Sequence, residues 1–295
     1  MKKLSVWMAF IALAAVSCGP RNSSKGEEMT VTVTIPPYAW FVQQIAGEDF
    51  RVNVLLPPGA DHHIWEPLPA QISALSGSEG FIINGQLSFE HAWMDRFLQV
   101  NPEMKVLDLS RNIQLIGSEG HSHDHDDHGH SHSHVGPDPH YWMSPVAAMV
   151  MAKDIQDFLA GLNPAGAEKY NANLSILERR ISQVDSLVRV SLGDDPHRTV
   201  LIYHPALAYM GRDYGFEQVS FEDEGKNPSP ARMKELIDLA REKEIKIIFI
   251  QAEYDVRNAQ SLSRETGARL VVINPMNTDW PEAVIEVAHA LGSRH

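Results

Sequence analysis

The stretch PAGAEKYNANLSILERRISQVDSLVRVSL, residues 164–192, decides the fold. Its apolar residues recur at spacings of three and four, which predicts one amphipathic α-helix with a single buried face. That face carries Leu174, Leu177, Ile181, Val184, Leu187 and Val188. At 1.5 Å per residue the helix is about 40 Å long. A rod of this length can lie along two lobes and hold their relative orientation.

Strand and helix patterns alternate on both sides of this helix. Before it, strands are predicted at 30–35, 51–56, 81–83 and 105–109, with helices near 38–46, 69–77 and 89–99. After it, strands at 199–203, 218–221, 245–250 and 269–273 alternate with helices near 205–213, 230–243, 256–266 and 280–291. Such alternation is typical of parallel sheets covered by helices. We therefore predict an α/β protein of two lobes, each a mostly parallel four-stranded sheet with flanking helices, joined by the long rigid helix.

The N-terminus has the pattern of a secretory signal. A basic start precedes an apolar run over 4–16 that is too short to span a membrane, and small residues lead to Cys18, the only cysteine. Residues 15–18, AVSC, resemble a bacterial lipobox. This predicts a signal peptide at 1–17, lipidation of Cys18 and a flexible tether over 18–29. An ordinary signal peptide with an incidental cysteine is the alternative.

The rest of the chain is predicted to divide into an N-terminal lobe at 30–143 with a His-rich loop at 118–137, linker helices at 144–193, and a C-terminal lobe at 194–295. The formal charge, 25 − 38 = −13, argues against nucleic acid as a partner and suits a cation as ligand. No second apolar run approaches the ~20 residues of a membrane span. We expect an exported monomer, periplasmic or on the cell surface, held to the membrane by the lipid anchor alone.

Seven of the fifteen histidines lie in one low-complexity stretch. They are His121, His123, His125, His128, His130, His132 and His134. The stretch has no apolar residue to bury, so we predict a solvated loop. Alternating imidazoles with aspartates between them would form several weak, interchangeable metal sites. A polar loop with no role is the alternative.

Three other histidines fall just past a predicted strand or at a loop-to-helix junction. His63 follows the second strand through a turn, His204 directly follows the fifth, and His140 leads into the helix that Pro145 begins. Ligands gather at the carboxyl ends of parallel strands, so two facing edges would bring these imidazoles together. Any one of them alone is more often a buried, hydrogen-bonded histidine. Three at equivalent positions, beside a His-rich loop, predict a transition-metal site.

Several motifs carry a resemblance to a known family. They are PPGADHHIWEP at 57–67, DPHYWMSP at 138–145, YHPAL at 203–207, and KIIFI at 246–250 followed by ETGA at 265–268. The chain resembles the ZnuA-type, or cluster A-I, metal-binding proteins of ABC transporters over nearly all of its mature length. The resemblance implies two lobes joined by a rigid helix and delivery of metal to a membrane permease. It also implies His63, His140 and His204 as metal ligands.

The ion and the fourth donor are predicted less directly. Manganese-binding members of the family usually place Glu where His204 stands, and imidazole favours zinc over manganese, which prefers oxygen. We therefore expect Zn²⁺, with Mn²⁺ the less favoured ion. Family members often have an Asp-Pro dipeptide after the last strand, where this chain has Asn274-Pro275. The candidates for the fourth donor are Asn274, His62, Glu253 and water.

These observations predict a high-affinity zinc-binding protein of an ABC-type uptake system, without enzymatic activity, that captures Zn²⁺ between its lobes. A zinc-dependent hydrolase is one alternative, because three histidines and a water also describe a catalytic zinc site. The chain has no HExxH motif to supply a general base. A metal-sequestering or adhesive surface lipoprotein without a transporter is the other alternative.

Overall fold

A computed structural model of the chain describes residues 29–117, 136–193, 198–222 and 227–292. The predicted signal peptide, the lipidation site Cys18 and the seven histidines of the His-rich loop lie outside the described residues. Within those four ranges, no helix combines the length and the apolar character that a membrane crossing needs.

The first sheet contains four parallel strands in the order β2-β1-β3-β4. The strands are β1 Thr30–Val33, β2 Arg51–Val54, β3 Gly80–Ile83 and β4 Lys105–Asp108. Helices α1 Pro36–Ala46, α2 Pro69–Ala74 and α3 Ser88–Val100 connect them. Short 3₁₀ segments follow α2 at Leu75–Gly77 and β4 at Leu109–Asn112. Every strand therefore points its carboxyl end toward the same edge of the sheet.

Two helices separate the sheets. Ser144 caps α4, Pro145–Leu162, by accepting the Val146 N–H, and Pro145 occupies its first turn. The long helix α5 spans Ala167–Leu192 and buries the face that the sequence predicts, with Leu187 only partly covered. It begins three residues later than expected because Pro164–Gly166 forms a separate 3₁₀ turn. α5 packs against α1 and α4, and also against α9 of the second lobe.

The second sheet repeats the topology of the first, with four parallel strands in the order β6-β5-β7-β8. Its strands are β5 Thr199–Ile202, β6 Glu217–Ser220, β7 Ile247–Gln251 and β8 Arg269–Ile273. The helices are α6 Ala208–Tyr214, α7 Pro230–Glu242, α8 Arg257–Thr266 and α9 Trp280–Gly292. The predicted α/β fold, two four-stranded lobes joined by a long helix, is confirmed.

Apolar packing joins the lobes on one side of the second sheet and not on the other. One core cluster runs from the first sheet through α1, α4 and α5 into α9 and one face of the second sheet. A smaller cluster fills the space between the opposite face of that sheet and helices α7 and α8. The inner half of the second lobe is thus part of the same packed core as the first lobe.

Candidate metal site

Four histidine side chains converge between the two sheets. They are His62, His63, His140 and His204, and one ring nitrogen of each lies within 4.8 Å of the others. Nε2 of His140 is 3.0 Å from Nε2 of His62 and 3.1 Å from that of His204. The Nε2 atoms of His63 and His204 are 2.8 Å apart. Three of the rings are buried and His63 is partly buried.

The first three ligand candidates come from the first lobe and the fourth from the second. His204 stands two residues after β5, where a tight turn, Ala206 N–H to the His204 carbonyl at 2.8 Å, delays the start of α6. Gln251, at the end of β7, bonds both sides of the His204 backbone. Its Oε1 accepts the His204 N–H at 3.3 Å and its amide donates to the His204 carbonyl at 2.6 Å. The carboxyl ends of two neighbouring strands therefore fix the backbone that carries this imidazole.

His62 and His63 lie in the loop that follows β2. Local turns shape this loop: the Ala60 N–H bonds the Pro57 carbonyl at 3.2 Å, and the Trp65 N–H bonds the Asp61 carbonyl at 3.0 Å. The Asp61 carboxylate also accepts the His63 N–H at 2.9 Å. The Trp65 ring packs edge-on against Phe89 of α3, with centroids 4.9 Å apart. These contacts place two consecutive imidazoles beside His140 and His204, with His62 buried and His63 partly buried.

His140 lies at the start of a 3₁₀ turn, His140–Met143, that leads into α4. Asp138 holds it twice, because the same carboxylate oxygen accepts the His140 N–H at 2.8 Å and lies 2.8 Å from Nδ1 of the ring. Glu222 plays the equivalent part for His204, with Oε1 2.8 Å from Nδ1. Glu222 follows β6 and is itself buried. Each of these two imidazoles therefore has a carboxylate behind it.

The two carboxylates determine which ring nitrogen of His140 and of His204 can bind a cation. A carboxylate accepts a hydrogen bond, so Nδ1 of His140 and Nδ1 of His204 carry the proton in the neutral rings. Their Nε2 lone pairs then face each other across 3.1 Å. Converging lone pairs repel unless a cation or a proton lies between them. A histidine whose other nitrogen donates to a carboxylate is the common arrangement at metal centres.

Of the four candidates for the fourth donor, the structure brings His62 to the other three imidazoles. Glu253 is half-buried and outside this group of four. Its burial, together with the charge of Asp61, raises its pKa. Asn274 is exposed, and its Oδ1 accepts the Met276 N–H at 3.1 Å. Among the described residues the potential metal ligands are thus four imidazoles, three from the first lobe and one from the second.

Sequence reasoning missed Glu222 and Gln251. Both stand at the end of a strand, β6 and β7, at the sheet edge where His204 lies. The rule that selected His204 therefore also applied to these two residues. An isolated Glu or Gln after a strand has many other uses, so its position alone does not indicate a site residue.

The chain matches the family described as zinc-uptake complex component A, periplasmic, over residues 31–288. It belongs to this family. A crystal structure of ZnuA superimposes with a TM-score of 0.80 at 31% identity, covering 90% of this chain and 98% of that one.

Curated relatives differ in the metal that their names give. The zinc-binding lipoprotein AdcA of Streptococcus pneumoniae is 27% identical over 94% of this chain, and the match spans only 56% of the length of AdcA. The manganese-binding lipoprotein MntA of Halalkalibacterium halodurans is 26% identical over 90% of this chain and 87% of its own length. Membership of this group of relatives therefore does not by itself determine the metal.

Proposed function

We propose that this chain is the metal-capturing component of an ABC-type uptake system. It binds one Zn²⁺ between its lobes through His62, His63, His140 and His204 and passes the ion to a membrane permease. The observation that supports this proposal is the convergence of four ring nitrogens within 4.8 Å, in a chain of the zinc-uptake component family.

The spacing of the nitrogens suits a tetrahedral zinc ion. Zn–N bonds of about 2.0–2.1 Å place the nitrogens of a tetrahedron ~3.3 Å apart. The closest Nε2 pairs here, at 2.8, 3.0 and 3.1 Å, need to separate by only a few tenths of an ångström to admit the ion. Asp138 and Glu222 place a carboxylate behind the imidazoles of His140 and His204.

Donor chemistry favours zinc over manganese. The group of four contains no carboxylate or amide oxygen, whereas Mn²⁺ prefers oxygen donors. The same donors compete with protons, because a protonated imidazole cannot bind metal. We therefore expect zinc affinity to fall as the pH drops below about 6.5.

A fourth imidazole in the site also favours metal capture over zinc-dependent hydrolysis. A catalytic zinc site keeps one coordination position open for water or substrate, and here His62 lies against the Nε2 of His140. The ion is then cargo that the site holds and releases, which fits a solute-binding protein of a transport family.

The proposal extends to parts of the chain outside the described residues. We propose lipidation of Cys18 after removal of residues 1–17, a tether over 18–29, and a monomer anchored in the periplasm or on the cell surface. Lobes at 30–143 and 194–295 enclose the site. The histidines of the segment His121–His134 would add weaker sites that raise the local concentration of the ion.

The decisive experiment is a competition titration with Zn²⁺ and Mn²⁺ on the mature chain without its lipid. We compare the intact chain, a deletion of residues 121–134, and a His63→Ala/His140→Ala/His204→Ala triple variant. The double variant His91→Ala/His289→Ala, at two exposed helix positions, is the matched control. We expect one tight zinc site that survives the deletion and the control and disappears in the triple variant.

Loss of tight binding with the deletion alone would show that the clustered imidazoles are structural. Uptake is tested separately by growth under zinc limitation. Deletion of the gene should slow growth, and the triple variant should fail to restore it. Normal growth of the deletion strain would count against a role in uptake.

A further inference from the structure

We infer that Asn84, fixed by Glu90, is a positioning residue for the metal ligand His140. The inference rests on the proposed function, because it concerns how the same site is held. Asn84 follows β3, is fully buried, and lies in the first lobe behind the site.

Asn84 bonds the residues on both sides of His140. Its side-chain amide donates to the Pro139 carbonyl at 3.0 Å. Its backbone carbonyl accepts the Tyr141 hydroxyl at 2.6 Å. A single residue thus holds the peptide before the ligand and the side chain after it.

The other polar groups of Asn84 hold Asn84 itself in place. Its side-chain amide also donates to the Tyr38 hydroxyl at 2.7 Å, and its Oδ1 accepts the Gln86 N–H at 3.1 Å. The Tyr38 hydroxyl in turn lies 3.3 Å from that of Tyr141. Both tyrosine rings are fully buried. Because its polar groups are all engaged and the residue is fully buried, Asn84 has one orientation.

Glu90 fixes the turn that carries Asn84. One carboxylate oxygen accepts the Asn84 N–H at 2.8 Å and the other accepts the Gly85 N–H at 2.6 Å. Glu90 stands in the first turn of α3 and is 1% exposed. Removing a buried carboxylate that accepts two backbone N–H groups leaves both donors without a partner. Glu90 therefore acts on His140 through Asn84 and touches none of the four imidazoles in the contacts described.

The position of His140 matters because zinc tolerates deviations of only a few tenths of an ångström from its preferred Zn–N distance. Loss of a residue that orients a metal ligand typically lowers affinity 10- to 100-fold. Asn84 acts on the backbone around His140, and Tyr209 and Trp280 also hold this segment from the second lobe. We therefore expect removal of the Asn84 side chain to lower zinc affinity by an amount at the lower end of that range.

The test compares the zinc affinity of the mature chain with that of variants that lack the Asn84 side-chain amide or its Tyr141 partner. Asn84→Ala should bind Zn²⁺ about 10-fold more weakly than wild type. Tyr141→Phe keeps the ring and removes one of the two hydrogen bonds by which Asn84 holds the His140 segment. We therefore expect zinc affinity to fall by about 3-fold. This second variant decides the question if Asn84→Ala does not fold.

Asn101→Ala is the matched control. The Asn101 amide donates to the carbonyls of Leu75, Ser76 and Ser78 in the same lobe, at 3.2, 3.4 and 2.8 Å. Those residues adjoin no ligand, so the variant should lower the melting temperature and leave zinc affinity unchanged. The visible spectrum of bound Co²⁺ provides a second readout, since it depends on the geometry of the ligands. It should change in Asn84→Ala and in Tyr141→Phe, and stay unchanged in Asn101→Ala.

Wild-type affinity and an unchanged Co²⁺ spectrum in both Asn84→Ala and Tyr141→Phe would overturn the inference. So would an equal loss of affinity in Asn101→Ala, because the effect would then reflect general stability. Failure of the proposed function appears elsewhere, as the absence of tight zinc binding in the wild-type chain.

Discussion

The segment that carries His140 and the loop that carries His62 and His63 contribute to one site but are held in different ways. Residues 138–142 are tied to both lobes. From the second lobe, the Tyr209 hydroxyl donates to the Asp138 carbonyl at 2.6 Å. Trp142 donates to the Pro275 carbonyl at 2.9 Å, and Trp280 donates to the Trp142 carbonyl at 2.6 Å.

The loop after β2, residues 57–68, is shaped by turns that close within it. Ile64 is 80% exposed and Leu68 65% exposed. Exposed segments with local bonds open at lower free-energy cost than segments bonded across the core. We therefore expect the His140 segment to be the more firmly held part of the site, and the His62–His63 loop to rearrange at lower cost.

The largest expected difference between the two regions is in zinc affinity, when one ligand is removed from the His140 segment or from the His62–His63 loop. His140→Ala should lower the affinity by more than about 100-fold, above the range for residues that only orient ligands. His62→Ala should cost less, because a water molecule can take the fourth coordination position of zinc once the imidazole is gone.

Competition titration of the two variants measures this difference, with His91→Ala as the control. Equal losses in both variants would mean that the loop is as strictly placed as the His140 segment. A greater loss in His62→Ala would reverse the comparison.

Substitutions of two glycines test the same difference in rigidity through the free energy of unfolding. Gly85, in the turn of Asn84, has φ +86°, and a Cβ there would lie 2.1 Å from Oδ1 of Asp108. Gly59, in the loop, has φ +75° with nothing within 4 Å of that position. We expect Gly59→Ala to cost about 1 kcal/mol for the left-handed backbone alone.

Gly85→Ala should cost at least about 3 kcal/mol, because the clash adds to the same backbone strain. Asp108 cannot easily move away, since its Oδ1 also accepts the N–H and the hydroxyl of Ser110. Denaturant melts of the metal-free variants give both values. Similar costs at the two positions would show that the Asn84 turn is as adaptable as the loop.

The sequence predicts the fold well because each signal is local. The spacing of apolar residues along α5 and the alternation of strands and helices are visible within windows of a few turns. His63, His140 and His204 are predicted as ligands by their positions at strand ends and helix starts, and the structure places them together with His62.

The residues that hold the ligands could not be predicted in this way. Asn84 and Pro139 are 55 residues apart, and Trp142 and Pro275 are 133 apart. Such pairs leave no local pattern in one sequence. An acidic residue in the first turn of a helix, such as Glu90, usually faces solvent and the helix dipole. Only the packing of α3 on the first sheet shows that this carboxylate is buried.

Glu90 gives the fixed region a pH dependence. Burial raises its pKa from 4.5 to about 7. A carboxyl with a raised folded-state pKa stabilises the fold fully below its unfolded pKa, and this contribution is lost as the pH rises through about 7. At 1.36 kcal/mol per unit, the loss between pH 4.5 and pH 7 is up to about 3 kcal/mol.

Glu90→Gln cannot ionise, so its stability relative to wild type should rise across this pH window. Denaturant melts of the metal-free chain at several pH values measure the difference. Glu103→Gln is the control at an exposed surface position. A constant difference between wild type and Glu90→Gln from pH 4.5 to 8 would contradict the assignment.

A further contrast concerns the carboxylates behind the ligands. Asp138 lies in the fixed segment and holds both the backbone and the ring of His140, whereas Glu222 contacts the ring of His204. The amide variants keep the size of each side chain and remove its charge. Asp138→Asn should lower zinc affinity about 100-fold and Glu222→Gln about 10-fold, the two ends of the usual range.

A double variant shows whether Asp138 acts through its neighbour. In a His140→Ala background the ligand is already absent, so Asp138→Asn should cause little additional loss, while Glu222→Gln should still weaken binding through His204. An additional tenfold loss from Asp138→Asn in that background would mean that its charge attracts the ion directly. The fixed segment would then contribute an electrostatic field to the site as well as geometry, and the difference between the two regions would not be one of rigidity alone.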